Sequence, residues 1–396
     1  MADVQFNPMA PEFVADPYPT YHRLRAEDPV HQSPLGFWVL TRYEDVVAVL
    51  RDPRLAKEAI AEFVAARLGV APLGIGLSML DRDPPDHTRL RGLVSKAFTP
   101  RVVEVLRPHI QQLVDGLLDR VEGAGSMDLI EDFAYPIPVI VICEMLGVPV
   151  EDRERFKGWG LDIARGLDSL LLPPGSDVVE RSVAARRALA DYFRELIAER
   201  RASPRADMLS GLIAAEEAGD TLSENELLAT CILLLVAGHE TTVNLIGNGT
   251  LALLRHPDQL RQLRESPELI GSAVEELLRY DGPVQRTARI PSEDVTIGGR
   301  TIAKGEMVMP FIGAADRDPA QFPDPDRLDI RRADNRHIAF GWGIHFCLGA
   351  PLARVEGQIA IGTLARRLPK LALATDRPEY RQSLTLRGLS RLPVAF

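Results

Sequence analysis

The sequence predicts a mainly α chain with a small β-rich region, and three observations carry that prediction. Apolar residues recur at helical spacing through most of 86–281 and again through 350–367. Short alternating runs bounded by turn residues stand apart from these, at about 29–41, 295–312 and 383–396. The β parts are not contiguous, so the 396 residues are read as one domain, 1–396, against the two domains that length alone suggests.

The elements follow in order. A hairpin pairs 29–33 with 37–41 across Pro34–Gly36, and a short helix covers Tyr43–Leu50. From Pro53 the chain reads as irregular. Its apolar stretch EFVAARLGVAPLGIGLSML, 62–80, lacks a clean period and suits a loop over a core or the wall of a pocket. Helical spacing then runs from Asp86 to about Asp220, with breaks at Gly123–Gly125 and at 172–175. The strongest helix is Glu224–Arg255, opened by the capping box Ser223-Glu-Asn-Glu226 and stopped before Pro257. Another starts with Ser266 as cap and Pro267 in the first turn and ends near Tyr280. A hairpin turns on Gly298-Gly299, a loop rich in Asp, Pro and Arg spans 316–337, a helix runs from Ala350 to Arg367, and a β-like tail closes the chain.

Composition narrows the function. A hydrophobic share of 46% and a charged share of 26% are ordinary for a globular protein. A net charge of −10 argues against nucleic acid as a partner. Cys143, Cys231 and Cys347 form no CxxC pair, which suits a reducing compartment. No stretch reads as the roughly 18–20 apolar residues that cross a bilayer, and the polar, proline-broken MADVQFNPMAPEF reads as neither signal nor anchor. The expectation is a cytoplasmic monomer with no membrane association.

Chemistry concentrates in FGWGIHFCLG, 340–349. Cys347 lies just before a helix start, where free N–H groups and the helix dipole favour a thiolate, a strong metal ligand. Gly341, Gly343 and Gly349 let the backbone turn tightly against a flat partner. The alternative is a cysteine buried as a small hydrophobe. Glu240 and Thr241 sit in the middle of an apolar helix, after CILLLV, where polar groups cost energy unless paired. Thr241 could equally bond back to the Ala237 carbonyl and bend the helix. Glu276 and Arg279 share a helix face at i and i+3, as many surface ion pairs do. His87 and Arg91, at i and i+4, could likewise be ordinary surface charges.

The pattern Phe340-Gly-x-Gly-x-His-x-Cys-x-Gly, followed by Leu352-Ala-Arg354, resembles the haem-binding signature of the cytochrome P450 family, and the likeness extends over nearly the whole chain. The resemblance implies the P450 fold and haem b (iron protoporphyrin IX), with Cys347 as thiolate ligand to the iron. It implies that His87, Arg91, Arg289 and His345 bind the haem propionates, and that Phe340, Ala237 and Gly349 also contact the cofactor. In Ala237-Gly-His-Glu-Thr-Thr242, Thr241 would hold oxygen and water across a widened helical turn, Glu240 would relay protons, and His239 would pack away. Glu276, Arg279 and Arg327 would lock the loop that delivers Cys347. One departure is Asp316, where the family commonly has asparagine.

The implied function is monooxygenation. One atom of dioxygen enters a hydrophobic small molecule (a polyketide or macrolide, terpenoid, steroid or fatty acid), with electrons from external NAD(P)H through a ferredoxin reductase and a ferredoxin. Leu73–Leu80, Val236, Ala237, Val284, Gln285, Thr385 and Leu386 would line the pocket. Arg89, Lys96, Arg101 and Arg107 would attract the ferredoxin, unless they are a solvated helix face. The alternatives are a peroxide-driven haem-thiolate peroxygenase, a nitric oxide reductase, or a haem-binding protein that is not an enzyme. A zinc site on His345 and Cys347 lacks two further ligands at suitable spacing.

Overall fold

A computed structural model describes residues 6–68, 76–172, 176–217 and 222–396. Its longer helices are α1 Tyr18–Glu27, α2 Tyr43–Arg51, α3 Ala59–Leu68, α4 Asp86–Ser95, α5 Pro100–Val121, α6 Pro136–Leu146, α7 Arg153–Gly166, α8 Asp177–Ala202, α9 Met208–Glu217, α10 Glu224–Arg255, α11 Pro257–Glu265, α12 Ile270–Asp281 and α13 Ala350–Arg367. The strands used below are β1 Val30–Ser33, β2 Phe37–Leu40, β3 Ser126–Asp128, β4 Val295–Ile297, β5 Arg300–Ile302, β6 Met307–Pro310, β7 Ala372–Leu373 and β8 Pro393–Ala395. The chain divides into two compact units. One is built from Met1–Ala56, Glu104–Ile137 and Thr241–Phe396, the other from Lys57–Val103 and Pro138–Glu240.

The first unit holds the sheets. β1 and β2 pair antiparallel, and β2 pairs parallel with β6, Phe37 opposite Met307. Trp38, Val46, Ile302, Val308 and Ile338 join one apolar cluster beneath this sheet. β4 and β5 turn on Gly298 and Gly299, at φ +54° and +78°. Two consecutive left-handed residues make the tight turn whose twist suits a hairpin. β3, β8 and β7 form a second small sheet. In the other unit α7 and α8 pack through aromatic side chains, Phe156 edge-on to Tyr192 at 5.2 Å between ring centres.

Helix α10 belongs to both units, because its sequence breaks nowhere. The Ser223 hydroxyl accepts from the Glu226 N–H, and the Glu226 carboxylate accepts from the Ser223 N–H. Among the described residues it is the one helix long and apolar enough to cross a membrane, contrary to the sequence expectation. That apolar surface is used internally, since 72% of its most apolar window is buried.

Other expectations shift. Residues 59–68 form helix α3 rather than an irregular stretch. Their nearly all-apolar composition has no polar face from which to read a period. The strand β3 was not expected. It is three residues long and exists because β8 pairs with it. The Ser266 side chain does not cap. Pro267–Leu269 is a tight 3₁₀ turn, and α12 proper starts at Ile270. The pocket residues 73–75 and the break at 173–175 lie outside the described residues.

Candidate active site

The cysteine loop is closed by its own backbone. The Cys347 N–H donates to the Phe340 carbonyl at 2.9 Å, and the Gly341 N–H to the Ile338 carbonyl at 2.7 Å. Gly341 and Gly343 both lie in the left-handed region, φ +71° and +74°. A Cβ on Gly343 would also stand 2.5 Å from the Leu50 carbonyl oxygen, so only glycine fits. Gly349 is different: it precedes α13 with φ −80°, and nothing lies within 4 Å of a Cβ built there. Neither backbone nor neighbour requires that glycine.

Two adjacent carboxylates on α12 hold this loop. Buried Glu276 receives Arg279 bidentately, both bonds at 2.8 Å. Arg279 then donates to the backbone carbonyls of Asp316, Pro325 and Arg327. The third member is a correction. The exposed Arg327 contributes only its carbonyl. The side chain that reaches Glu276 is Arg332, at 3.1 Å, joined by the Asn335 amide at 3.2 Å. Neighbouring Glu275 accepts from Arg354 at 2.7 and 2.9 Å and pairs with His337 at 3.0 Å. Burial works to raise its carboxyl, but the bonds from His337 and Arg354 prevail and hold it down at about 2. The Arg354 guanidinium lies 4.6 Å over the Phe340 ring, which gives the signature arginine its role. Asp316, the departure from the family pattern, keeps its loop bond: its carboxylate accepts from the Ile338 N–H at 2.8 Å.

The three cysteines part sharply. Cys143 and Cys231 are wholly buried, and burial pushes both thiols up to about 12. Cys347 is half-buried on a loop. Among the described residues no three His, Cys, Asp or Glu side chains gather as a metal-ligand set.

Midway along α10, Ala237 is exposed and Thr241, one turn on, is half-buried, so both lie on the helix face that the protein leaves open. His239 and Glu240 are buried, away from that face. The His239 Nδ1 lies 2.7 Å from the Leu235 carbonyl oxygen, and its Nε2 lies 3.6 Å from Glu240 Oε1. The helix is regular α throughout, without the widened turn that the resemblance implied.

On α4, burial and then the nearby Arg91 charge lower the pKa of His87, which favours the neutral imidazole beside that guanidinium. A carboxylate there would pair with Arg91 and could accept a hydrogen bond from the imidazole. Arg289 is buried, with Nη1 bonded to the Ala288 carbonyl and its backbone paired to Val308. His345 sits in the short 3₁₀ turn Gly343–His345 within the cysteine loop. Gln285 is buried, and its amide accepts from Tyr21 and donates to the Gly282 carbonyl. Arg89 pairs with Asp86 and Glu226, and Arg107 with Glu104, so neither offers an unneutralised charge.

Each part by itself suits haem: a half-buried thiol on a loop turned by glycines, and on α4 an imidazole and a guanidinium able to bind a carboxylate. Sequence comparison agrees. The sequence profile of the cytochrome P450 family matches residues 30–386. The chain is 49% identical to "Vitamin D(3) 25-hydroxylase" of Pseudonocardia autotrophica, covering 97% of this chain and 94% of that one. It is 45% identical to "Cytochrome P450 monooxygenase PikC" of Streptomyces venezuelae, with coverage of 97% and 92%. A crystal structure of a myxobacterial cytochrome P450 in complex with myristic acid superposes with a TM-score of 0.91 at 47% identity, covering 98% of both chains. Fold, loop and relatives converge: this chain belongs to the cytochrome P450 family and is a monooxygenase.

Proposed function

We propose that the protein hydroxylates or epoxidises a hydrophobic natural product, using electrons from a ferredoxin. The observation that carries the reading is Cys347, the one cysteine of three that is not sealed in the interior, on a loop fixed by two carboxylates. Haem ligated by a thiolate supplies the cleavage of dioxygen, one atom for the substrate and one for water. Cys347 would hold the iron, and His87, Arg91, Arg289 and His345 the propionates. Phe340, Ala237 and Gly349 would present small or flat surfaces to the ring. The Thr241 hydroxyl, on the open face of α10, would keep a water in place, and Glu240 would supply protons.

The substrate class rests on the relatives: one is named for vitamin D(3), and another was crystallised with myristic acid. Both compounds are long and largely hydrocarbon. Donor docking would rely on Lys96 and Arg101, since Arg89 and Arg107 are already paired. The deciding experiment is the absorption spectrum of the reduced, carbon monoxide-bound protein. A strongly red-shifted band is expected in the wild type and none in Cys347→Ser. An unchanged band in the variant overturns the assignment. Vitamin D(3) and myristic acid are then titrated for a spin-state change.

A further inference from the structure

We propose that His239 is a positioning residue for Glu240: an imidazole that fixes the direction of the carboxylate and shares one proton with it. This rests on the reading of Glu240 as the proton-supplying acid. His239 follows the run CILLLVAG, where nothing in the apolar pattern calls for an imidazole, and it has no exposed surface. Its Nδ1 lies 2.7 Å from the Leu235 carbonyl oxygen. A carbonyl only accepts, so Nδ1 carries the hydrogen. In the neutral ring Nε2 is then a lone pair, and it faces Glu240 Oε1 at 3.6 Å. That separation is longer than a formed hydrogen bond, and a proton on Nε2 or on Oε1 would turn the repulsion of two acceptors into attraction. As imidazolium with carboxylate or as imidazole with carboxylic acid, the buried pair is neutral overall. When Glu240 gives its proton away, the pair becomes imidazole plus carboxylate, one unit negative. It regains one proton from solvent hydronium, whose O–H bond breaks to leave water.

A second helix is shaped for this arrangement. A Cβ on Gly160 of α7 would lie 3.0 Å from His239 Nε2, 3.1 Å from its Cε1 and 3.9 Å from Glu240 Oε1. Glycine inside a helix costs about 0.5–1 kcal/mol relative to alanine. Here it lets α7 pass directly over the ring without displacing it. His239 and Gly160 thus fix the pair from two separate elements.

The test uses holoenzyme without substrate, as wild type and as His239→Phe, Gly160→Ala and Glu240→Gln. ¹⁵N spectra of the ferrous, carbon monoxide-bound protein identify the His239 nitrogens by their loss in the phenylalanine variant. The expected result is a hydrogen on Nδ1 and an Nε2 shift that moves in Glu240→Gln. With a ferredoxin system, the share of consumed dioxygen released as hydrogen peroxide should rise at least about twofold in both His239→Phe and Gly160→Ala, approaching Glu240→Gln. If His239→Phe does not hold haem, Gly160→Ala, which keeps every polar group, carries the test. An Nε2 shift indifferent to Glu240→Gln overturns the proposal. So does a wild-type peroxide share in Gly160→Ala when Glu240→Gln raises it. If Glu240→Gln itself leaves the share unchanged, the proton-supply reading of Glu240 fails, while the spectra still decide the pairing.

Discussion

The cysteine loop and the centre of α10 each hold a reactive side chain still, by opposite means. Residues 316–347 are mostly without regular structure, so their backbone groups find no ladder partners. Arg279 and Arg332 supply those partners from side chains, and Glu276 bridges the two guanidinium groups. Helix α10 satisfies its own backbone and is fixed by close apolar approach. A Cβ on Gly238 would stand 2.9 Å from Ile142, and one on Gly247 2.6 Å from Ile130. Irregular backbone needs charged fasteners, whose loss releases the segment. A helix leaves its side chains available for chemistry at little structural risk.

The contrast is broken most severely by Glu276→Ala, which leaves two largely buried guanidinium groups without a counter-charge. The expected loss is roughly 3–5 kcal/mol, seen as a collapsed thermal midpoint and failure to take up haem. Arg327→Ala is the control: its side chain is exposed, so stability should stay within about 0.5 kcal/mol of wild type. A large effect at 327 and none at 332 would restore the assignment made from the sequence. Next in size is Gly343→Ala. The left-handed backbone and the Leu50 carbonyl together should cost roughly 1–3 kcal/mol in thermal unfolding. Gly349→Ala should leave the haem-free protein unchanged, because nothing in the protein occupies that space.

A pH-dependent effect concerns Asp316. Burial raises its carboxyl to about 7, against the lowering influence of His337, the Ile338 N–H, Arg279 and Arg317. An unfolded aspartate titrates near 3.9. Between those values the folded state binds more protons than the unfolded one, so stability falls as pH rises and the full cost is felt above about 7. Asp316→Asn keeps an acceptor for the Ile338 N–H. It should raise the melting temperature by a few degrees at pH 8, with the gain shrinking toward pH 4. An equal gain at both pH values would refute the ionisation argument.

Legibility in the sequence followed the same divide. Helix α10 was readable to the residue, because its start is a four-residue local bond pattern and its end is a proline. The Gly298-Gly299 hairpin and α13 were readable for similar local reasons. The Glu276–Arg279 pair was legible through its i, i+3 spacing. Arg332 was not. It shares a loop with Arg327 and Arg331, and only the folded path of the backbone selects which guanidinium reaches Glu276. A faint cue existed in Asn335, three residues on, a second donor to the same carboxylate. The bond from Tyr21 to Gln285 was equally hidden, because the two lie 264 residues apart. His239 was expected to pack away and is buried, but the sequence does not show that Gly160 lies above it.

The parallel pairing of β2 with β6 bears on how the polypeptide emerges from the ribosome. Phe37 is synthesised early, but Met307 follows only about 270 residues later. At the usual 5–20 residues per second, that leaves one edge of the first hairpin uncovered for tens of seconds. Over that interval the edge is open to pairing with a foreign strand, and slower synthesis lengthens the exposure.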